Sequence, residues 1–266
     1  MRLKDKVALV TGSSGGLGTG ICRAFAAEGA DCVVNYHSDR AGGQETADLV
    51  ESLGRKSLLV QADISREDQV QDMVDAALER FGRLDIVVAN AGYGMAKPLL
   101  ETRVEEFEKL VRTNLIGTYL TVRIGAQAMK SQGGGKIITM SSIHGLGGTH
   151  YCSLYEATKA GILNFTRGAA FDLGDYGIQI NCIAPGAVPV PKDPPPDKDG
   201  PLYAAWMQYT PLSRFGTPAD VAAAAVFLAS TDSDWITGQV IQVDGGISAG
   251  HLIPSFKYYG AKPRMD

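Results

Sequence analysis

The 266-residue sequence has only four cysteines, Cys22, Cys32, Cys152 and Cys182, and no two of them form a C-x-x-C pair. Its four histidines do not join them at zinc-ligand spacing. A disulfide framework and a zinc site are therefore not indicated, and no metal is expected. The scattered thiols read as buried side chains in a reducing compartment. No apolar run is long enough to span a bilayer, so no membrane partner is expected. Residues 1–6 lead straight into a strand-like segment, which predicts no signal peptide and a cytoplasmic location. A basic excess is missing too: 25 Lys and Arg stand against 29 Asp and Glu, a net of −4. That balance argues against a general polyanion binder, and so against nucleic acid as a partner. The composition, 45% hydrophobic and 20% charged, is that of a chain able to build a real core.

Short apolar runs at residues 6–11, 31–36, 57–63, 84–92, 135–142, 178–184 and 238–244 read as strands. Between them lie helical patterns over residues 21–29, 42–54, 67–81, 104–129 and 218–229, and a further helix beginning near Tyr155. Strands alternating with helices predict an α/β fold: a doubly wound parallel sheet of about seven strands with helices on both faces. No linker divides the chain, so residues 1–266 are read as a single domain. Residues 1–95 would serve mainly a cofactor, and residues 110–215 mainly catalysis and substrate. Six prolines fall between positions 189 and 201, which marks a loop. This lid loop, residues 189–213, interrupts the alternation just after a strand end, where open α/β sheets bind ligands. The C-terminal tail, residues 250–266, carries Phe256, Tyr258 and Tyr259 without a clear period.

Two patterns carry chemistry. Gly12, Gly16 and Gly18 are spaced G-x-x-x-G-x-G between the first strand and the first helix. Glycines there let the backbone turn tightly and approach a pyrophosphate at the helix N-terminus. Tyr155 and Lys159 lie four residues apart, so on a helix they share one face. An ammonium beside a phenol favours phenolate, so the Tyr155 pKa is expected to fall below its ordinary value of about 10. A tyrosine tuned in this way can exchange a proton with a substrate hydroxyl.

With Asn90-Ala91-Gly92, Asn114, Ser142, Pro185-Gly186 and Asp244-Gly245-Gly246 added, the order and spacing resemble the short-chain dehydrogenase/reductase family over nearly the whole chain. The resemblance implies a Rossmann-type fold and hydride transfer between a nicotinamide cofactor and an alcohol or carbonyl. It implies Tyr155 as general acid/base, with Lys159 lowering its pKa and holding the nicotinamide ribose. Ser142 would hydrogen-bond the substrate oxygen, and Asn114 would hold a water linking Lys159 to solvent. The cofactor site it implies comprises Gly12, Ser14, Gly16, Leu17, Gly18, Asn35, Tyr36, His37, Ala62, Asp63, Asn90, Ala91, Gly92, Tyr155, Lys159, Pro185, Gly186 and Val188. Asp63 matches the position that touches adenine, although a helix cap is its alternative reading. Val190 stands where the family usually has Thr, so one carboxamide contact is missing.

The second strand ends in Asn35-Tyr36-His37-Ser38-Asp39-Arg40, without the acid at its tip that NAD-specific members use. NADP(H) is therefore favoured over NAD(H), with dual use left open. Val33-Val34-Asn35-Tyr36, Met140-Ser141-Ser142-Ile143-His144 and Pro254-Ser255-Phe256 resemble glucose 1-dehydrogenases of the family. Ser142, His144 and Tyr155 are then the substrate residues, with His144 bonding a sugar hydroxyl. The alternatives are a 3-oxoacyl-(acyl-carrier-protein) reductase or another ketone reductase, and a non-catalytic nucleotide-binding scaffold. A homo-oligomer, dimer or tetramer, is expected from the resemblance.

Overall fold

Val7-Ala8-Leu9-Val10 is apolar at every position and buried at every position, as a strand covered on both faces requires. In the computed structural model, which describes residues 1–191 and 193–250, it forms β1. It is followed by β2 (Asp31–Tyr36), β3 (Ser57–Gln61), β4 (Ile86–Ala89), β5 (Gly135–Met140), β6 (Ile178–Pro185) and β7 (Val240–Val243). All seven pair in parallel, in the order β3-β2-β1-β4-β5-β6-β7. The order reverses between β1 and β4, and a crevice opens beyond the strand ends at such a switch point.

The helices are α1 (Gly16–Ala27), α2 (Arg40–Ser52), α3 (Glu67–Phe81), α4 (Val104–Val111), α5 (Gly117–Lys130), α6 (Ser153–Gly174), α7 (Pro201–Tyr209) and α8 (Pro218–Ala229). Alternate strand residues supply two cores, one on each face of the sheet. Ala8, Val10, Val34 and Ile138 meet Ile21 and Phe25 of α1 and Val221 and Val226 of α8. Leu9, Val33, Val87 and Ile137 meet Met73 of α3 and Ile124 and Met129 of α5. The expected doubly wound α/β sheet is present.

Several boundaries differ from the pattern. Helix α2 starts two residues before position 42, because the Asp39 carboxylate accepts from the Gly42 N–H at 3.1 Å and caps it there. Residues 104–129 are not one unbroken α-helix: a π-helical segment, Arg112–Ile116, separates α4 from α5. The stretch read as a lid loop holds α7, whose first residue is Pro201. Proline is tolerated there because the first N–H of a helix lacks an intrahelical partner anyway. Before it, Val190 and Asp193 form an isolated antiparallel bridge. Residues 251–266, with Phe256, Tyr258, Tyr259 and the Pro254-Ser255-Phe256 likeness, lie outside the described residues. Among the described residues, no helix is long and apolar enough to cross a membrane.

Phe25 is fully buried between the sheet and α8. Truncation to Ala is expected to cost about 3–5 kcal/mol in urea unfolding, and a loss below 1 kcal/mol would mean that this layer is not packed as described.

Candidate active site

The switch-point crevice is stitched together by three side chains at the strand ends. Thr11 Oγ1 accepts from the N–H groups of Asn90 (3.0 Å) and Ala91 (3.1 Å). Asn90 Nδ2 donates back to the Thr11 and Gly12 carbonyls at 2.9 and 3.2 Å. Asn35 Oδ1 accepts from Gly12 N–H at 3.0 Å while its Nδ2 donates to the Ala62 carbonyl at 3.2 Å. The turns after β1, β2, β3 and β4 are thereby locked to one another. Gly12 has φ +63°, and a Cβ on it would lie 2.8 Å from Ala91 Cα. A Cβ on Gly18 would lie 2.5 Å from the Gly12 carbonyl oxygen. Both positions therefore need glycine, one for conformation and one for close packing.

The locked turns border a cleft of about 760 Å³. Gly12, Ser14, Leu17, Asn35, His37, Ala62, Asp63, Asn90, Ala91, Gly92, Tyr155, Lys159 and Val188 all line it. Gly16, Gly18, Tyr36 and Pro185 do not: Gly16 abuts Val190, Gly18 packs under the turn, and Tyr36 and Pro185 are buried in the strands. Gly186 faces the adjoining cavity instead. Helix α1 begins at this cleft with no side-chain cap and no acid in its first turn. Its first N–H groups have no partners within the helix, which suits a pyrophosphate. The residues present therefore fit a dinucleotide cofactor.

The catalytic candidates gather at the inner end. Ser142 follows β5, and Tyr155 and Lys159 stand in the first two turns of α6. Lys159 is 6% exposed, and its Nζ donates to the Met140 carbonyl at 2.9 Å. The same Nζ lies 5.7 Å from the Tyr155 ring centroid. Asn114 sits in the π-helical segment and is buried. Its Oδ1 accepts from Tyr93 N–H at 3.0 Å, and its Nδ2 donates to the Tyr93 carbonyl at 2.9 Å and Thr158 Oγ1 at 3.2 Å. The Asn114 amide thus fastens the loop after β4 to α6. A Cβ on Gly92 would fall 3.0 Å from Asn114 Oδ1 and 3.7 Å from Lys159 Nζ, so both groups crowd that turn.

Electrostatics correct one expectation. Burial pushes the Tyr155 phenol above its ordinary value, and the hydrogen bond with Ser142 offsets this only in part. Burial also lowers Lys159 to about 8, opposed slightly by Cys182. A site with little water disfavours both charged forms. Four-residue spacing makes the two groups neighbours, but it does not by itself make the phenol acidic.

Beside Tyr155 a second cavity of about 870 Å³ opens. Ser142, His144 and Tyr155 line it together, as do Met95, Ile143, Leu202, Trp206 and Phe215. Tyr155 borders both spaces, placing its ring where cleft and cavity meet. Asp63 accepts from Ser65 N–H at 2.9 Å and lies 3.8 Å from His37 Nε2, so it orders its own turn while lining the cleft. Sequence reasoning missed Thr11, Thr158, Glu156 and the α7 wall. Thr11 and Thr158 flank motif residues, and their partners became identifiable only in three dimensions.

A family model described as Enoyl-(Acyl carrier protein) reductase matches residues 12–248. The chain is 38% identical to 3beta-hydroxysteroid dehydrogenase 1 of Eggerthella lenta, over 96% of this chain and 97% of that one. It is 35% identical to glucose 1-dehydrogenase 2 of Bacillus subtilis, over 95% and 97%. It is 37% identical to the 3-oxoacyl-[acyl-carrier-protein] reductase FabG of Chlamydia muridarum, over 92% and 98%. Among solved structures, a short chain dehydrogenase from Burkholderia cenocepacia in complex with NADP superposes with TM-score 0.86 at 31% identity, over 93% of this chain and 99% of that one. A 7 alpha-hydroxysteroid dehydrogenase complexed with NADH and 7-oxo glycochenodeoxycholic acid gives 0.87 at 32%, over 92% and 95%.

Lys159 yields a prediction for the cofactor-free protein. Its folded pKa, about 8, lies below the unfolded value near 10.5, so the unfolded chain binds more protons between the two. Stability relative to Lys159→Met should therefore rise by about 1–3 kcal/mol as pH goes from 8 to 10. Urea unfolding of both proteins across that range checks it, and a falling difference would contradict the buried ammonium.

Proposed function

We propose, on the premise that this chain belongs to the short-chain dehydrogenase/reductase family, that it interconverts a secondary alcohol and its ketone on a bulky, largely apolar framework. Its class is that of nicotinamide-dependent oxidoreductases acting on CH–OH groups. The observation that carries the substrate reading is the wall of the second cavity, where Met95, Ile143, Leu202, Trp206 and Phe215 face Ser142 and Tyr155. A wide apolar enclosure with few polar groups suits a ring system bearing one reacting oxygen. The similarity to a hydroxysteroid dehydrogenase points the same way. A sugar remains the second reading, supported by the glucose 1-dehydrogenase relative and by the polar His144 and Asp193 on the same wall. A 3-oxoacyl substrate has its own relative but no Lys or Arg among the described residues of this wall.

The roles follow from position. Tyr155 exchanges the proton with the substrate oxygen, and Ser142 holds that oxygen as charge develops on it. Lys159 and Asn114 keep the inner end rigid, and Lys159 would hold the nicotinamide ribose. Gly12, Ser14 and the start of α1 would seat the pyrophosphate. The cofactor itself supplies or accepts the hydride. For the adenosine end we favour NADP(H). Asp39 lines the cleft with its carboxylate committed to the α2 cap, beside His37 and Ser38 in the same lining and the exposed Arg40 that follows in sequence. Such a setting suits a 2′-phosphate better than a pair of ribose hydroxyls. The expectation of a homo-oligomer draws support from the outer face of α6, where Phe171 is 88% exposed.

Rates of NAD(P)H formation with cyclic secondary alcohols and with aldoses test the substrate reading. Cyclic alcohols should win by about tenfold or more in kcat/KM, since several apolar contacts of about 1 kcal/mol each are at stake. Preference for aldoses would overturn it. Tyr155→Phe should keep cofactor binding and lower turnover by about 10²–10⁴-fold. Turnover within threefold of the parent would remove the assigned role.

A further inference from the structure

His144 is one of the few polar side chains on the apolar cavity wall, and its surroundings decide which of its ring nitrogens carries hydrogen. Its Nδ1 lies 3.4 Å from Glu156 Oε1 and 3.3 Å from Thr149 Oγ1. The carboxylate of Glu156 only accepts. Thr149 has one hydroxyl hydrogen, and it donates that hydrogen to Glu156 Oε1 at 3.1 Å. Its oxygen can therefore only accept from the ring. Both neighbours of Nδ1 are acceptors, so Nδ1 bears the proton. Whenever the ring is neutral, Nε2 on its far edge is the bare nitrogen.

Glu156 does more than set this tautomer. It also accepts from Thr149 N–H at 2.6 Å, which closes the loop after Ser142 back onto α6. At the other end of that loop, His144 N–H donates to Ser142 Oγ at 3.2 Å. The imidazole packs edge-on against the Tyr155 ring, with centroids 5.7 Å apart. One half-buried carboxylate, next in sequence to Tyr155, thereby sets the distance between the reacting hydroxyl and a second polar contact.

We propose that His144 is a specificity-determining residue whose Nε2 accepts a hydrogen bond from a second hydroxyl of the substrate, close to the reacting carbon, and that Glu156 is the positioning residue that presents it. This inference rests on the reading of the second cavity as the substrate site. The substrate class narrows to apolar ring alcohols bearing a neighbouring hydroxyl, or the matching hydroxyketones.

The test compares trans-cyclohexane-1,2-diol with cyclohexanol, each oxidised by the full-length protein with NADP⁺ and separately with NAD⁺. The parent should favour the diol by about tenfold in kcat/KM, the worth of about one hydrogen bond. His144→Phe should bring that ratio to about 1, chiefly through KM for the diol. Glu156→Leu should lower the ratio in the same way. Glu156→Gln, whose amide oxygen still accepts from Nδ1–H, should restore most of it. A merely structural role for Glu156 would lower turnover of both alcohols together and leave the ratio alone, and that result overturns the proposal. Equal use of both alcohols by the parent also overturns it, while leaving the secondary-alcohol reading standing. Failure of the parent to oxidise either alcohol, with aldoses oxidised instead, overturns both.

Discussion

Lys159 is an ammonium in a place that water hardly reaches, and the geometry of the site is arranged around holding it there. Among the described residues its one hydrogen bond runs to the Met140 carbonyl at the end of β5. Gly92 leaves the room it needs, Asn114 braces the turn beside it, and Tyr155 stands one helical turn before it on α6. An isolated buried charge is costly, and the depressed pKa of about 8 reflects that cost. The phenol feels the same dryness in the opposite direction. A protein that keeps the phenol neutral has a proton donor ready but no phenolate in waiting. Additional positive charge in the cleft would be needed to shift the phenol downward, and an oxidised nicotinamide carries it.

The sheet explains why these groups can meet. Its order reverses at β1 and β4, so the chain ends of four strands face one crevice. Thr11, Asn35 and Asn90 tie those ends together through backbone groups that would otherwise be unpaired. The cleft wall is thus made largely of locked turns, a rigid setting for a dinucleotide. The second cavity differs in kind. Its walls are prolines, α7 and the loop after Ser142, elements outside the sheet. The relatives that share the family carry names that point to steroid, sugar and acyl substrates.

Much of this was readable in the residues. The bounds of α3 and α8 match the expected 67–81 and 218–229 because each begins at a recognisable start and ends where its apolar period stops. The alternation of strands and helices led directly to the parallel sheet. What escaped depended on contacts distant in sequence. The Asp39 cap moved α2, and the proline run hid α7, since prolines before a helix look the same as prolines in a loop. Asn114 could be placed in a helix, but not in a π-helical segment with its amide committed to Tyr93 and Thr158. Spacing brought Tyr155 and Lys159 together; only burial showed which way their protons lean.

Burial holds the Tyr155 phenol above its ordinary value in the free protein, and a bound oxidised cofactor would bring the positive charge that lowers it. An NMR titration of ring-labelled tyrosine, with and without NADP⁺, measures this directly, Tyr155→Phe identifying the resonance. The Tyr155 midpoint should lie above the ordinary phenol value in the free protein and shift downward on adding NADP⁺. A midpoint already below that ordinary value in the free protein would contradict it.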